Sequence, residues 1–175
     1  MKTNKKRLKF AREQNRKRTP AFWIEQSESC LIYPGVIICP QGFGYEWDDN
    51  FNEYVHINHT GKLIISDNVV VHENTTLVRG TSDNSETFIG EGTKIDCHCH
   101  IGHNVKIGKN CIIAANTSIG GSTEIGDNVY IANGVTIRNK IKICDNANIG
   151  TGAVVVKNID IPDVWYIGNP AKSTP

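Results

Sequence analysis

The sequence is short of apolar side chains. Hydrophobic residues fill 39% of its 175 positions, aromatics 7%, and methionine appears once. Ordinary globular domains carry about 45–50% apolar residues on a count that includes glycine, and this chain comes near that range only through its 16 Gly, which add no side chain. A compact two-layer core would therefore be thin. No run approaches the ~20 apolar residues of a membrane span, which excludes a helical integral membrane protein. The N-terminus is basic but lacks the apolar segment of a secretory signal, so export by that route is not expected. The six cysteines (Cys30, Cys39, Cys97, Cys99, Cys111 and Cys144) then read as reduced thiols of a cytoplasmic protein, not as a disulfide framework.

The net charge of +1 conceals an asymmetry. Residues 1–20 hold nine of the 19 Lys and Arg against the single acid Glu13, a net +8. Residues 21–175 keep ten bases against 17 acids, a net −7. A basic arm over residues 1–29 on an acidic body fits an anionic partner or its own body. Its basic run carries one aromatic, Phe10, so nucleic acid is not the expected partner.

What the chain does have is a repeat. Steps of six from Ile65 land on Val71, Leu77, Asp83, Ile89, Ile95, Ile101, Ile107, Ile113, Ile119, Ile125, Ile131, Ile137, Ile143, Ile149 and Val155; only Asp83 is not aliphatic. The next residue is often Gly or Ala, as at Gly90, Gly102, Gly108 and Gly120. The residue two before is small or β-branched, as at Thr87, Thr93, Cys99 and Thr117. Positions i−2 and i share one face of a strand, and glycine permits a corner. Each hexad thus reads as a short strand and a turn with two side chains inward. A 3.6-residue period is excluded, because steps of six fall on different helix faces. The period is that of a parallel β-helix, a solenoid with three hexads per triangular coil. Handedness does not follow from the period.

The helix is expected over residues 30–160, with 161–175 as a C-terminal tail. The hexad Gly80–Ser85 breaks the register at Asp83 and reads as a polar loop. Residues 40–62 leave the period altogether and read as an excursion loop, where function often resides.

Gly42-Phe43-Gly44-Tyr45, Thr76-Leu77-Val78-Arg79-Gly80, Thr87 to Asp96, His100 to Gly108 and Gly121 to Asp127 follow in an order and spacing that resembles the UDP-3-O-acylglucosamine N-acyltransferases. These are left-handed parallel β-helix, hexapeptide-repeat enzymes of lipid A synthesis. The resemblance covers roughly residues 30–150. It implies a left-handed triangular prism, a homotrimer with sites between subunits, and transfer of an acyl group from acyl carrier protein to the amino group of a nucleotide-linked sugar. His103 matches the general base of that family and Asp96 an acidic partner. The family's second active-site histidine falls at Lys140. Its N-terminal nucleotide-binding domain has no counterpart in residues 1–29. The ending Gly168-Asn169-Pro170-Ala171-Lys172 looks instead like the finish of acetyl-CoA-dependent acetyltransferases, so the donor is acetyl-CoA or acyl carrier protein.

Acyl transfer to an amine needs a base to take the ammonium proton, and a histidine suits that task. The oxyanion needs a backbone N–H; Gly121, eighteen residues after His103, is the candidate. His100 and Asn104 flank the base as candidate acceptor contacts. Arg138, Lys140, Lys157 and Lys172 are candidates for the donor phosphates. The run Asp96-Cys97-His98-Cys99-His100 is rich in metal-ligand types, but strand alternation sends its cysteines inward and its histidines outward, so no metal is expected. The alternatives are a non-catalytic β-helix module that binds a partner through the arm, or a zinc-dependent lyase.

Overall fold

The computed structural model describes residues 24–174. Most of the basic arm therefore lies outside the described residues. Three parallel sheets make the three faces of a coiled prism. Strands are numbered in chain order. The first face holds β1 (Ile24–Gln26), β6 (Lys62–Ile65), β9 (Glu86–Ile89), β12 (Lys106–Ile107), β15 (Glu124–Ile125) and β18 (Lys142–Ile143). The second holds β2 (Leu31–Ile32), β7 (Val70–Val71), β10 (Lys94–Ile95), β13 (Ile112–Ile113), β16 (Tyr130–Ile131), β19 (Asn148–Ile149) and β21 (Trp165–Ile167), with β22 (Lys172–Ser173) antiparallel at its end. The third holds β3 (Ile37–Ile38), β8 (Thr76–Leu77), β11 (His100–Ile101), β14 (Ser118–Ile119), β17 (Thr136–Ile137) and β20 (Val154–Val155).

The register shows why the six-residue step works. Ile95 pairs with Ile113 and Ile101 with Ile119, eighteen residues on. Two-residue strands suffice because each side chain of the inward column stacks on its equivalent in the next coil. Ile101, Ile113, Ile119 and Ile131 have no exposed surface. The threonines two positions earlier are also buried, and their hydroxyls bond corner carbonyls of the next coil: Thr93 to Gly108 at 2.9 Å and Thr123 to Arg138 at 3.1 Å. Small polar residues can therefore sit in this core with their hydroxyls bonded, although the buried Thr87 hydroxyl has no partner among the described residues.

Glycine after the aliphatic position has a different reason from the one its spacing implies. Gly90, Gly102, Gly108 and Gly120 are not in the left-handed region; the second turn residue is, as at Asn104 (φ 58°), Asn110 (φ 53°) and Asn116 (φ 61°). A Cβ on Gly90 would stand 2.4 Å from the Gly108 carbonyl oxygen. The glycines let neighbouring coils close up, while asparagine supplies the positive φ at modest cost.

Two insertions change the coil length. Ile65 pairs with Ile89, twenty-four residues on, so the loop around Asp83 is one inserted hexad. Ile38 pairs with Leu77, thirty-nine residues on, and the surplus is the excursion. That excursion is not irregular throughout: β4 (Tyr45–Asp48) and β5 (Glu53–His56) form an antiparallel hairpin. β1 pairs with β6 on the arm side of residue 30, and β21 pairs with β19 beyond residue 160. The coil therefore extends past both expected boundaries.

The outer surfaces of the faces differ. The first carries charge pairs in register, with Lys142 Nζ 2.9 Å from Glu124. The second carries an apolar stripe, with Ile112 48%, Tyr130 36% and Trp165 45% exposed. Among the described residues no helix is long and apolar enough to cross a membrane.

Candidate active site

Both insertions leave the coil at the corner between the third and first faces, because each joins a third-face strand to a first-face strand. His103 lies at that corner between β11 and β12. The next coils put Gly121 and then Asn139 at the same corner: Ser122 N–H donates to His103 O at 2.8 Å and Lys140 N–H to Gly121 O at 3.0 Å.

The His103 ring lies against Gly121. A Cβ there would be 2.4 Å from Cε1 and 2.5 Å from Nε2 of the imidazole. Gly121 has an ordinary φ, so it is glycine for space. Its N–H donates to no group among the described residues, which leaves a backbone donor on the residue that the imidazole overlies.

The excursion closes the other side. His59, 1% exposed, stands with its ring centroid 5.5 Å from that of His103 at 70°. Its Nδ1 is 2.9 Å from the Ile57 carbonyl. Its backbone is clamped by Gln41, which accepts from His59 N–H at 2.7 Å and donates to His59 O at 3.2 Å. The Gly42-Phe43-Gly44-Tyr45 string now has a physical reason. A Cβ on Gly42 would be 2.5 Å from His59 Nε2, and one on Gly44 would be 3.3 Å from Cε1. His56 Nε2 donates to Gly42 O at 2.9 Å and fixes the same turn. Arg79, 2% exposed, lies beside Cys39 and acts on His59 electrostatically. Burial pushes the Cys39 thiol up to about 11, with Arg79 opposing.

Burial lowers the basicity of His103. It lowers His59 as well, against the Ile57 carbonyl and helped by His103, His56 and Arg79. His100 is lowered by burial and then by His103. All three rings are thus biased towards the neutral form that a base requires.

The other expected residues divide. His100 faces outward on β11 beside the corner. Asn104 is engaged within the chain: its Oδ1 accepts from Thr81 N–H at 2.9 Å and its Nδ2 donates to Thr81 Oγ1 at 3.0 Å, holding the Asp83 loop. Asp96 sits at the preceding corner, a whole face away, and its carboxylate accepts from Cys97 N–H at 2.7 Å. Within one chain it does not orient His103. Arg138, Lys140 and Lys157 lie down the same edge as His103, in later coils. Lys172 does not; it is on β22, at the end of the second face. Cys99 is buried and His98 and His100 exposed, while Cys97 sits partly buried in a turn. The described residues hold no group of three or more metal-ligand side chains that could share an ion.

Sequence reasoning missed His59. The signal was there as arithmetic: the excursion re-enters the coil at Gly61, at the corner that leads through the Asp83 loop to His103.

Residues 86–121 and 122–157 match the family of bacterial transferase hexapeptide repeats (six repeats). A UDP-3-O-acylglucosamine N-acyltransferase from Methylococcus capsulatus is 40% identical over 99 residues, 57% of this chain and 27% of that protein. A protein of the same name from Rhizobium meliloti is 46% identical over 76 residues, 43% of this chain and 21% of that one. The match thus spans about a quarter of the length of these curated relatives. The crystal structure of a UDP-N-acetylglucosamine O-acyltransferase from Moraxella catarrhalis superposes with a TM-score of 0.62 at 22% identity, over 87% of this chain and 72% of that one. That likeness is one of fold. Over residues 86–157 the chain is built of bacterial transferase hexapeptide repeats, coiled as a left-handed parallel β-helix that resembles the UDP-3-O-acylglucosamine N-acyltransferases.

Proposed function

We propose that the protein is an N-acyltransferase that moves an acyl group from a phosphopantetheine thioester to the amino group of a nucleotide-linked sugar. The observation that carries this reading is the His103 imidazole held over Gly121, within the residues that match bacterial transferase hexapeptide repeats, in a chain similar over part of its length to enzymes of that name. His103 Nε2 takes the proton from the amine as its nitrogen attacks the thioester carbonyl. The oxyanion forms against the Gly121 N–H. Collapse forms the amide and breaks the C–S bond, and the imidazolium returns its proton to the leaving thiolate. A base of this kind is worth about 10²–10⁴-fold, and holding thioester and amine together supplies much of the rest.

His100, exposed beside the base, is placed for an acceptor hydroxyl. Arg138, Lys140 and Lys157 are placed for donor phosphates along the same edge; Lys172 and Asn104 are not kept in those roles. Asp96 keeps a role only if it comes from a neighbouring subunit. The donor is acetyl-CoA or an acyl-loaded carrier protein, which the basic arm would suit. The apolar stripe on the second face favours self-association, as a trimer by resemblance. Free thiols at all six cysteines suit a reducing, cytoplasmic setting.

The test is His103→Ala, assayed with UDP-linked amino sugars against acetyl-CoA and acyl-loaded carrier protein. Loss of about 10²-fold or more in kcat with intact folding is expected. Turnover at the wild-type rate overturns the reading.

A further inference from the structure

Two facing rings at this corner each carry a nitrogen that nothing satisfies. His59 Nε2 and His103 Nδ1 are both enclosed and have no hydrogen-bond partner among the described residues. Their roles are complementary. The Ile57 carbonyl can only accept, so the proton of neutral His59 sits on Nδ1, 2.9 Å from it. That leaves Nε2 as a bare acceptor. If His103 is to offer Nε2 as a base above Gly121, its own proton must sit on Nδ1, which then needs an acceptor. The charged and titratable groups acting on His59 are His56, His103 and Arg79. None is a carboxylate, and Arg79 has only donors.

We propose that His59 is a positioning residue for His103: its Nε2 accepts the Nδ1–H of His103, directly after a small ring rotation or through one water, and so fixes the tautomer that leaves His103 Nε2 bare. This rests on His103 being the base of the proposed transfer. The rings stand 5.5 Å apart at 70°, which brings such a contact within reach of a rotation, and catalytic hydrogen bonds often tighten only when substrate binds. The acceptor is neutral. When His103 takes the amine proton at Nε2, the charge stays on His103 and His59 keeps its own proton. Burial already biases both rings towards neutrality. Gly42 and Gly44 give way to the His59 ring, and Gln41 holds its backbone. The excursion is built around this side chain.

The experiment reads tautomers by ¹⁵N NMR of the full chain with labelled histidine, at a pH where the rings are neutral. Wild-type His103 should carry its proton on Nδ1. His59→Phe keeps a ring but removes the acceptor, so the proton should move to Nε2 and kcat should fall at least about tenfold, with KM within about twofold. His59→Gln restores an acceptor oxygen and should recover both the tautomer and most of kcat. A wild-type His103 protonated on Nε2 overturns the proposal. So does a His103 tautomer unchanged in His59→Phe. Should that variant not fold, the wild-type tautomer and the Gln variant still decide. The tautomer readout needs no turnover: absent activity with the expected tautomers would sink the transferase reading and leave this link standing.

Discussion

The His103 imidazole occupies the space that a Cβ on Gly121 would need, one coil further along the helix. Gly121 has an ordinary φ, so alanine there strains no backbone. The methyl group would instead push the ring aside. Gly121→Ala should cost little stability and lower kcat by about 10²-fold, the usual penalty for misplacing a reacting group by about an ångström. Thermal melts and steady-state kinetics on the same preparation check this. A wild-type kcat would show that the ring position is not what matters.

The burial of His103 sets the direction of the pH profile. Its basicity is lowered below the ordinary histidine value, so the acid limb of kcat/KM should lie below about pH 6.5. The rate should be flat across neutral pH. A limb above pH 7 would mean that the base is another group.

Stability should follow the same sign. His59 is 1% exposed and its basicity is lowered in the folded state, first by burial. Above about pH 6.5 it is neutral folded or unfolded. As pH falls through that value the unfolded chain binds the proton first, and stability is lost progressively towards the lower folded value. Tm should thus be level above about pH 7 and decline below it, with a shallower decline in His59→Gln. Parallel slopes in the two proteins would show that His59 does not contribute.

Asn104 joins two duties, a positive φ and a two-bond clamp on Thr81. Asn104→Gly keeps the backbone freedom and loses the clamp; Asn104→Ala loses both. The glycine variant should lose about 1–3 kcal/mol for two hydrogen bonds, and the alanine variant more. Denaturant titrations separate the two. Equal losses would mean that the positive φ contributes nothing, and an unchanged glycine variant would mean the same of the clamp.

The apolar stripe predicts assembly. Exposed Ile112 and Tyr130 are in register on neighbouring coils of the second face. Tyr130→Lys should shift the mass measured by light scattering towards the monomer, whereas Glu124→Lys on the charged first face should not. The reverse pattern would place the interface on the first face.

The six-residue column was legible because only one face of each two-residue strand is buried, and Ile at one position in six satisfies it. The excursion was visible as a loss of period, but its hairpin was not: the alternation in Tyr45–Asp48 and Glu53–His56 is too short and too exposed to stand out. Glycine after isoleucine was visible as a pattern, but the close approach that requires it was not. Close approach of the next coil leaves no trace in one hexad, because the neighbour lies eighteen residues away.

The sequence by itself therefore determined the coil, its three-hexad period and the place of His103 on a corner, all consequences of local alternation repeated in register. Only the tertiary structure decided what surrounds that histidine. It set Asp96 at a different corner, turned Asn104 to Thr81, moved Lys172 to the second face and brought His59 across from the excursion. Residues separated by a loop meet through the stacking of coils. That stacking is fixed by inserted lengths and backbone contacts, which a one-dimensional period does not record.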